Sequence, residues 1–168
     1  LEILRIFEFW KTKAIMVQDY LGENMLFVCA KEGDVEIFNW FGGSNNFYRA
    51  RGQQNYKGQT IEHIVCMSKK TGIVEEIRPK LDTKDYYGNL PLHYTIAHDD
   101  EQMVRKYFTN GKAYFDLRNF KYETIFHTAA KHDSEASMKA LLGRSVFIEE
   151  LVKRNFTGDT PLHTAAQA

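Results

Sequence analysis

Four histidines, His63, His93, His127 and His163, follow one another at steps of 30, 34 and 36 residues. Imidazoles are the first groups to test for metal or acid–base chemistry. Their even spacing argues against both uses. Equivalent positions in neighbouring structural copies would stand on the order of 10 Å apart, the distance between packed helices. A zinc ion needs its nitrogen ligands at about 2 Å. Cys29 and Cys66 are too few for a disulfide scaffold, which suits a reducing compartment or simple burial, and they read as buried, inert thiols. Asp99-Asp100-Glu101 reads as a solvated turn, and Arg49, Arg51, Lys57, Lys69 and Lys70 as solvated surface. No G-x-G-x-x-G, P-loop, H-E-x-x-H or nucleophile elbow occurs. Neither an enzyme nor a cofactor is expected.

The residues that could do chemistry therefore point back to the elements that carry them. Gly158 to Ala166 reads G-D-T-P-L-H-T-A-A, Gly88 to Ile96 reads G-N-L-P-L-H-Y-T-I, and Tyr122 to Ala130 reads Y-E-T-I-F-H-T-A-A. Gly58 to Cys66 (G-Q-T-I-E-H-I-V-C) and Gly22 to Ala30 (G-E-N-M-L-F-V-C-A) fit the same register, with Phe27 in the place of histidine. Three residues before the glycine, or Tyr122, stand Asp19, Asn55, Asp85, Asn119 and Asn155. The next residue in each case is Tyr20, Tyr56, Tyr86, Phe120 or Phe156. Such internal repetition marks a stacked-repeat architecture.

The spacing has a physical reading. Asp or Asn followed three residues later by Gly is turn chemistry, with the side chain bonding nearby backbone and the glycine at positive φ. Thr160-Pro161 is a helix start: a capping hydroxyl, then a residue with no N–H to satisfy. Small residues follow at Cys29-Ala30, Val65-Cys66, Ala129-Ala130 and Ala165-Ala166, allowing close helix approach. Second helices follow, with apolar residues at helical spacing: Val35, Ile37, Phe38 and Phe41; Ile73, Val74 and Ile77; Met103, Val104, Tyr107 and Phe108; Met138, Leu141 and Leu142. One helix pair cannot bury its own apolar face, and stacked copies can. Several positions break the pattern. Leu90 replaces the capping Thr, Glu62 stands in an apolar column, and the turn before Gly72 is expected to be irregular. Gly42-Gly43-Ser44-Asn45-Asn46 is expected to be mobile.

On these residues the chain resembles ankyrin repeats, whose pattern is D-x-x-G-x-T-P-L-H-x-A-A-x-x-G. The resemblance implies an all-α solenoid of helix-turn-helix units with β-hairpin or loop fingers. It gives one array over residues 1–168: half a repeat at 1–18, repeats at 19–54, 55–84, 85–118 and 119–154, and half a repeat at 155–168. Leu1 to Trp10 then reads as the second helix of an interrupted repeat, and the array as truncated at both ends. The marker histidines become structural, bonding the Thr at each helix start. Function is expected to be non-enzymatic: the fingers and first helices meet a protein or peptide partner. The alternative is a structural or regulatory arm of a larger multidomain protein such as a channel, toxin, effector or enzyme. Candidate contact residues are Tyr20, Tyr56, Lys57, Tyr86, Tyr87, His98, Phe120, Lys121, His132 and Phe156, with His98 and His132 on the concave side. The aromatic column supports partner contact and mutual ring packing equally.

Length and charge bound the rest. The 168 residues carry 22 Lys plus Arg against 22 Asp plus Glu, a formal charge of zero. A general grip on nucleic acid or anionic lipid has no support in that balance. No apolar run reaches the ~18 residues of a membrane span, so this stretch is not expected to insert directly into a membrane. A chain beginning at Leu1 rather than Met is expected to be part of a longer one, with further repeats or domains. A cytoplasmic or nuclear setting is expected.

Overall fold

A computed structural model describes residues 11–77, 81–107, 115–142 and 148–168. Among them are twelve helices and no strand. The expected second helix at Leu1 to Trp10, the side chain of Leu142 and Phe108 lie outside the described residues. The chain divides into two compact units, Leu1–Lys80 and Leu81–Ala168.

The first unit contains α1 (Lys11–Ala14), α2 (Met25–Glu32), α3 (Val35–Gly42), α4 (Phe47–Arg51), α5 (Ile61–Ser68) and α6 (Thr71–Ile77). Helix α2 packs on α5 and α3 on α6, so like elements of successive copies lie side by side. Leu26, Phe27, Phe38, Ile61, Ile73 and Ile77 fill the core. Two local readings are corrected here. The glycine-rich loop is tied down: the Asn46 amide donates to the Thr12 carbonyl at 2.8 Å, Ser44 is buried, and the chain turns directly into α4. The turn before Gly72 is regular, because Lys69 takes the left-handed conformation (φ 57°) that Gly33 takes in the preceding copy (φ 77°).

The second unit contains α7 (Pro91–Ala97), α8 (Glu101–Tyr107), α9 (Ile125–Lys131), α10 (Glu135–Leu142), α11 (Ile148–Leu151) and α12 (Pro161–Gln167). Helix α9 lies between α7 and α12, and α8 packs on α10. Leu90, Leu92, Ile96, Val104, Ile125, Phe126, Ala129 and Leu141 form one apolar cluster. Burying such side chains stabilises by about 1.5–3 kcal/mol each, the main driving force available to helices only seven or eight residues long.

The fingers are turns, not β-hairpins, among the described residues. In every copy the Asp or Asn side chain accepts from the backbone N–H two and four residues on; in the copy at Asp85 these bonds come from Tyr87 at 2.8 Å and Asn89 at 2.9 Å. The side chain thus takes amides that a ladder would need. A single backbone–backbone hydrogen bond links each finger to the next within a unit: Tyr56 N–H to the Leu21 carbonyl, Phe120 to Tyr87, and Phe156 to Lys121. Gly22, Gly58, Gly88 and Gly158 all have positive φ, and Tyr122 is forced to the same conformation at 59°.

The helix starts follow the Thr–His rule. His63 and His127 Nδ1 each accept the backbone N–H of Thr60 or Thr124 at 3.1 Å and lie within 3.0 and 2.9 Å of the threonine hydroxyl. His93 Nδ1 accepts only the Leu90 N–H, at 3.1 Å. In the first copy Asn24 replaces the pair, its side-chain oxygen accepting the Leu26 N–H at 2.9 Å. Each imidazole is thus directed to its own helix start, and none is shared with a neighbour's imidazole. Glu62 is held in its apolar column by the Arg51 guanidinium, 3.2 Å away, which also donates to the Ile77 carbonyl.

Candidate functional site

Three columns of the repeat converge on one side of the second unit. Counted from the turn glycine, or Tyr122, they are the next residue (Asn89, Glu123, Asp159), the sixth (Tyr94, Thr128, Thr164) and the ninth (Ala97, Lys131, Gln167). The last two lie three apart on one helix face. Together with the fingers they enclose a groove of about 370 Å³ beside Tyr86, Tyr87, Phe120, Lys121 and His132. A second groove of about 720 Å³ flanks the other side of the Asn119–Glu123 finger and reaches Phe156. Lys121, Glu123 and Lys131 line both.

Six of the ten sequence candidates therefore lie around these two spaces: Tyr86, Tyr87, Phe120, Lys121, His132 and Phe156. His98 lines neither groove, though its positive form lies near enough to His132 to disfavour a second charge. Tyr20, Tyr56 and Lys57 belong to the first unit, where they are exposed. Groove residues that the sequence did not mark as contact candidates include Tyr94 and Asn119, the latter read only as a turn former. The signal for Tyr94 was its place in the sixth column, three residues before Ala97.

The aromatic column does two things at once. Its rings are exposed, from 60 % for Phe120 to 85 % for Tyr20. The inner edges of Tyr56 and Phe120 nevertheless rest on the preceding finger. A methyl group built on Gly22 would lie 2.7 Å from Tyr56 Cδ1, and one on Gly88 would lie 2.7 Å from Phe120 Cδ1. Where Tyr122 replaces the glycine, Phe156 packs edge-on against it, centroids 5.4 Å apart. Tyr56, Phe120 and Phe156 are thus positioned by the turn behind them and bare on the outer face.

The acids of this site are already engaged. Asp85 is buried, and its carboxylate accepts the Tyr94 O–H at 2.6 Å as well as two backbone amides. Glu123 accepts from the Asn119 side-chain amide at 2.7 Å, and Asp159 accepts the Thr157 O–H at 2.6 Å. Burial, with the nearby Lys131 and His98 charges, pushes the His132 pKa down, against a smaller pull from Glu123. Burial lowers His93 to about 4; attraction to the Glu123 carbonyl opposes this weakly, since His93 Nε2 makes no hydrogen bond of acceptable geometry. The Cys29 thiol is pushed up to about 12, first by burial and then by Asp34, which leaves it unreactive at neutral pH.

The acidic run is also spoken for. Asp100 caps its own helix through the Met103 N–H at 3.0 Å, Glu101 pairs with Arg105, and Asp99 caps α10 of the next copy. Among the described residues no three His, Cys, Asp or Glu side chains form a group that could hold a metal ion. No helix of the described residues is long and apolar enough to cross a membrane. No protein-family model matches the chain, and no curated protein matches it.

Proposed function

We propose that the chain is an ankyrin-type repeat protein that binds a protein or peptide partner and carries out no catalysis of its own. The observation that carries this reading is the convergence of exposed rings from the fingers with first-helix side chains around one groove in the second unit. Rings held from behind and bare in front offer large apolar contact at little conformational cost, as interface anchors do. The buried polar residues complete their own fold: the histidines and Asp or Asn side chains close helix starts and turns, leaving recognition to the exposed columns. The partner's class follows from surface chemistry and not from fold, which hosts many functions.

The test uses a partner recovered by affinity purification and then produced separately. Tyr87→Ala with Phe120→Ala should weaken its binding by at least about tenfold, the effect of losing roughly 1.4 kcal/mol, with an unchanged circular dichroism spectrum. Lys139→Ala, on the exposed face of α10, should leave it unchanged. Equal affinity for all three proteins would reject the groove.

A further inference from the structure

We infer that the grooves of the second unit select an acidic peptide, one carrying several Asp or Glu residues beside aromatic or aliphatic ones. This rests on the proposed function and names its partner class. The argument comes from comparing two copies of the repeat. Glu23 and Lys31 occupy the first and ninth columns in one copy, and Glu123 and Lys131 occupy the same columns in another. In the first copy the two form an ion pair, with the carboxylate buried. In the other they do not: Glu123 is bound by the Asn119 amide, and Lys131 makes no ion pair among the described residues. The turns around the two acids also differ. Asp19 offers Glu23 no side-chain N–H, and Glu23 accepts from the Asn55 amide at 3.3 Å as well as from Lys31, whereas Glu123 accepts from the amide of its own turn, Asn119.

Lys131 is exposed between the two grooves, beside Lys121, which also makes no ion pair among the described residues. The neighbouring acids, Asp85, Glu123 and Asp159, are turned to hydrogen-bond donors of the turns. These acids keep their charge, so Lys121 and Lys131 are balanced by Glu123 and Asp159 in the linings of the two grooves. What differs is that the acids already accept hydrogen bonds from the turns, while the two ammonium groups have no acidic partner among the described residues. Exposed rings of Tyr87, Phe120 and Phe156 stand beside it. Two cations set among rings suit alternating acidic and apolar side chains. They are too few for a phosphate backbone, which is gripped by many contacts in a row.

The experiment pans a phage-displayed library of random peptides about 15 residues long against the intact chain at near-physiological salt. That length spans both grooves when extended at about 3.3 Å per residue. Enriched peptides should carry an excess of Asp and Glu over the unselected library. Their binding should fall at least tenfold with Lys121→Glu and Lys131→Glu together, and stay unchanged with Lys139→Glu. Circular dichroism of each variant checks folding, and a fall in affinity with added salt on the parent protein gives a readout that needs no variant. Neutral or basic peptides that are lost with Tyr87→Ala and Phe120→Ala would overturn the acidic class and leave peptide binding standing. Failure to enrich any peptide would count against both. Displacement of the acidic peptides by poly(U) RNA would overturn the assignment in favour of a general polyanion site.

Discussion

Asp99 caps a helix to which it does not belong: its Oδ1 accepts the Ser137 amide at 2.7 Å, while Oδ2 lies 3.3 Å from the Ala136 N–H. The residue itself is in the left-handed conformation, φ 52°, at the end of its own first helix. One side chain thereby joins the turn of one copy to the second helix of the next.

Replacing Asp99 by Ala should cost about 1–2 kcal/mol for the lost cap, and more for an alanine held at positive φ. Asp99→Asn keeps an acceptor and tolerates the backbone, so its loss should be smaller. Urea denaturation of the two variants checks this order; equal midpoints would contradict the cap.

His93 links stability to pH. Its imidazole is neutral in the fold, with a pKa near 4 against 6.5 when free. Between those values the unfolded chain binds the extra proton. Stability should therefore be fully present above pH 6.5 and lost as the pH falls toward 4, by on the order of 3 kcal/mol. Burial lowers His127 in the same direction. Protonation also places a hydrogen on Nδ1, where the Leu90 amide already points. Denaturation midpoints at pH 7 and pH 5 measure the effect, and an NMR titration in which the His93 ring protonates near 6.5 would contradict it.

Two glycines at the same turn position should differ when changed to alanine. Both have positive φ, 77° at Gly88 and 85° at Gly158. At Gly158 nothing lies within 4 Å of the added methyl, so only the backbone cost of about 1–2 kcal/mol applies. At Gly88 the methyl would also collide with the Phe120 backbone nitrogen, which cannot rotate away. Gly88→Ala should be the more destabilising by at least about 1 kcal/mol, read by thermal denaturation.

Much of the fold could be read because the bonds inside a copy have partners at fixed short offsets. Thr60 with His63 and Asn55 with Gln59 are three and four residues apart, so a column of residue types reveals them. Contacts between copies depend on how helices stack, and no local pattern encodes them. Asp99 reaches a residue 38 positions away, and Arg51 rescues Glu62 from α4, a helix that the glycine-rich stretch concealed. Strands were a reasonable expectation for the fingers until the Asp and Asn side chains were seen to take the amides. The groove was half legible: exposed rings mark it, but that Lys31 pairs with Glu23 while Lys131 does not pair with Glu123 depends on side-chain geometry that the columns of residue types do not record.

The Arg51–Glu62 pair should show the cost of a stranded charge. Arg51→Met leaves a buried carboxylate without its cation and should cost about 3 kcal/mol. Arg51→Met with Glu62→Leu restores an apolar column and should return to within about 1 kcal/mol of the parent protein. A double variant as unstable as the single one would show that Arg51 acts through the Ile77 carbonyl instead.

Partner contact through the fingers and first helices is tested most directly by site-specific photo-crosslinking in cells. A benzophenone side chain placed at Tyr87 or Phe120 should give a covalent adduct with one partner protein, and the same group at Lys139 on the opposite helix should give none. Adducts confined to Lys139, or formed equally from all three positions, would contradict the proposed binding face.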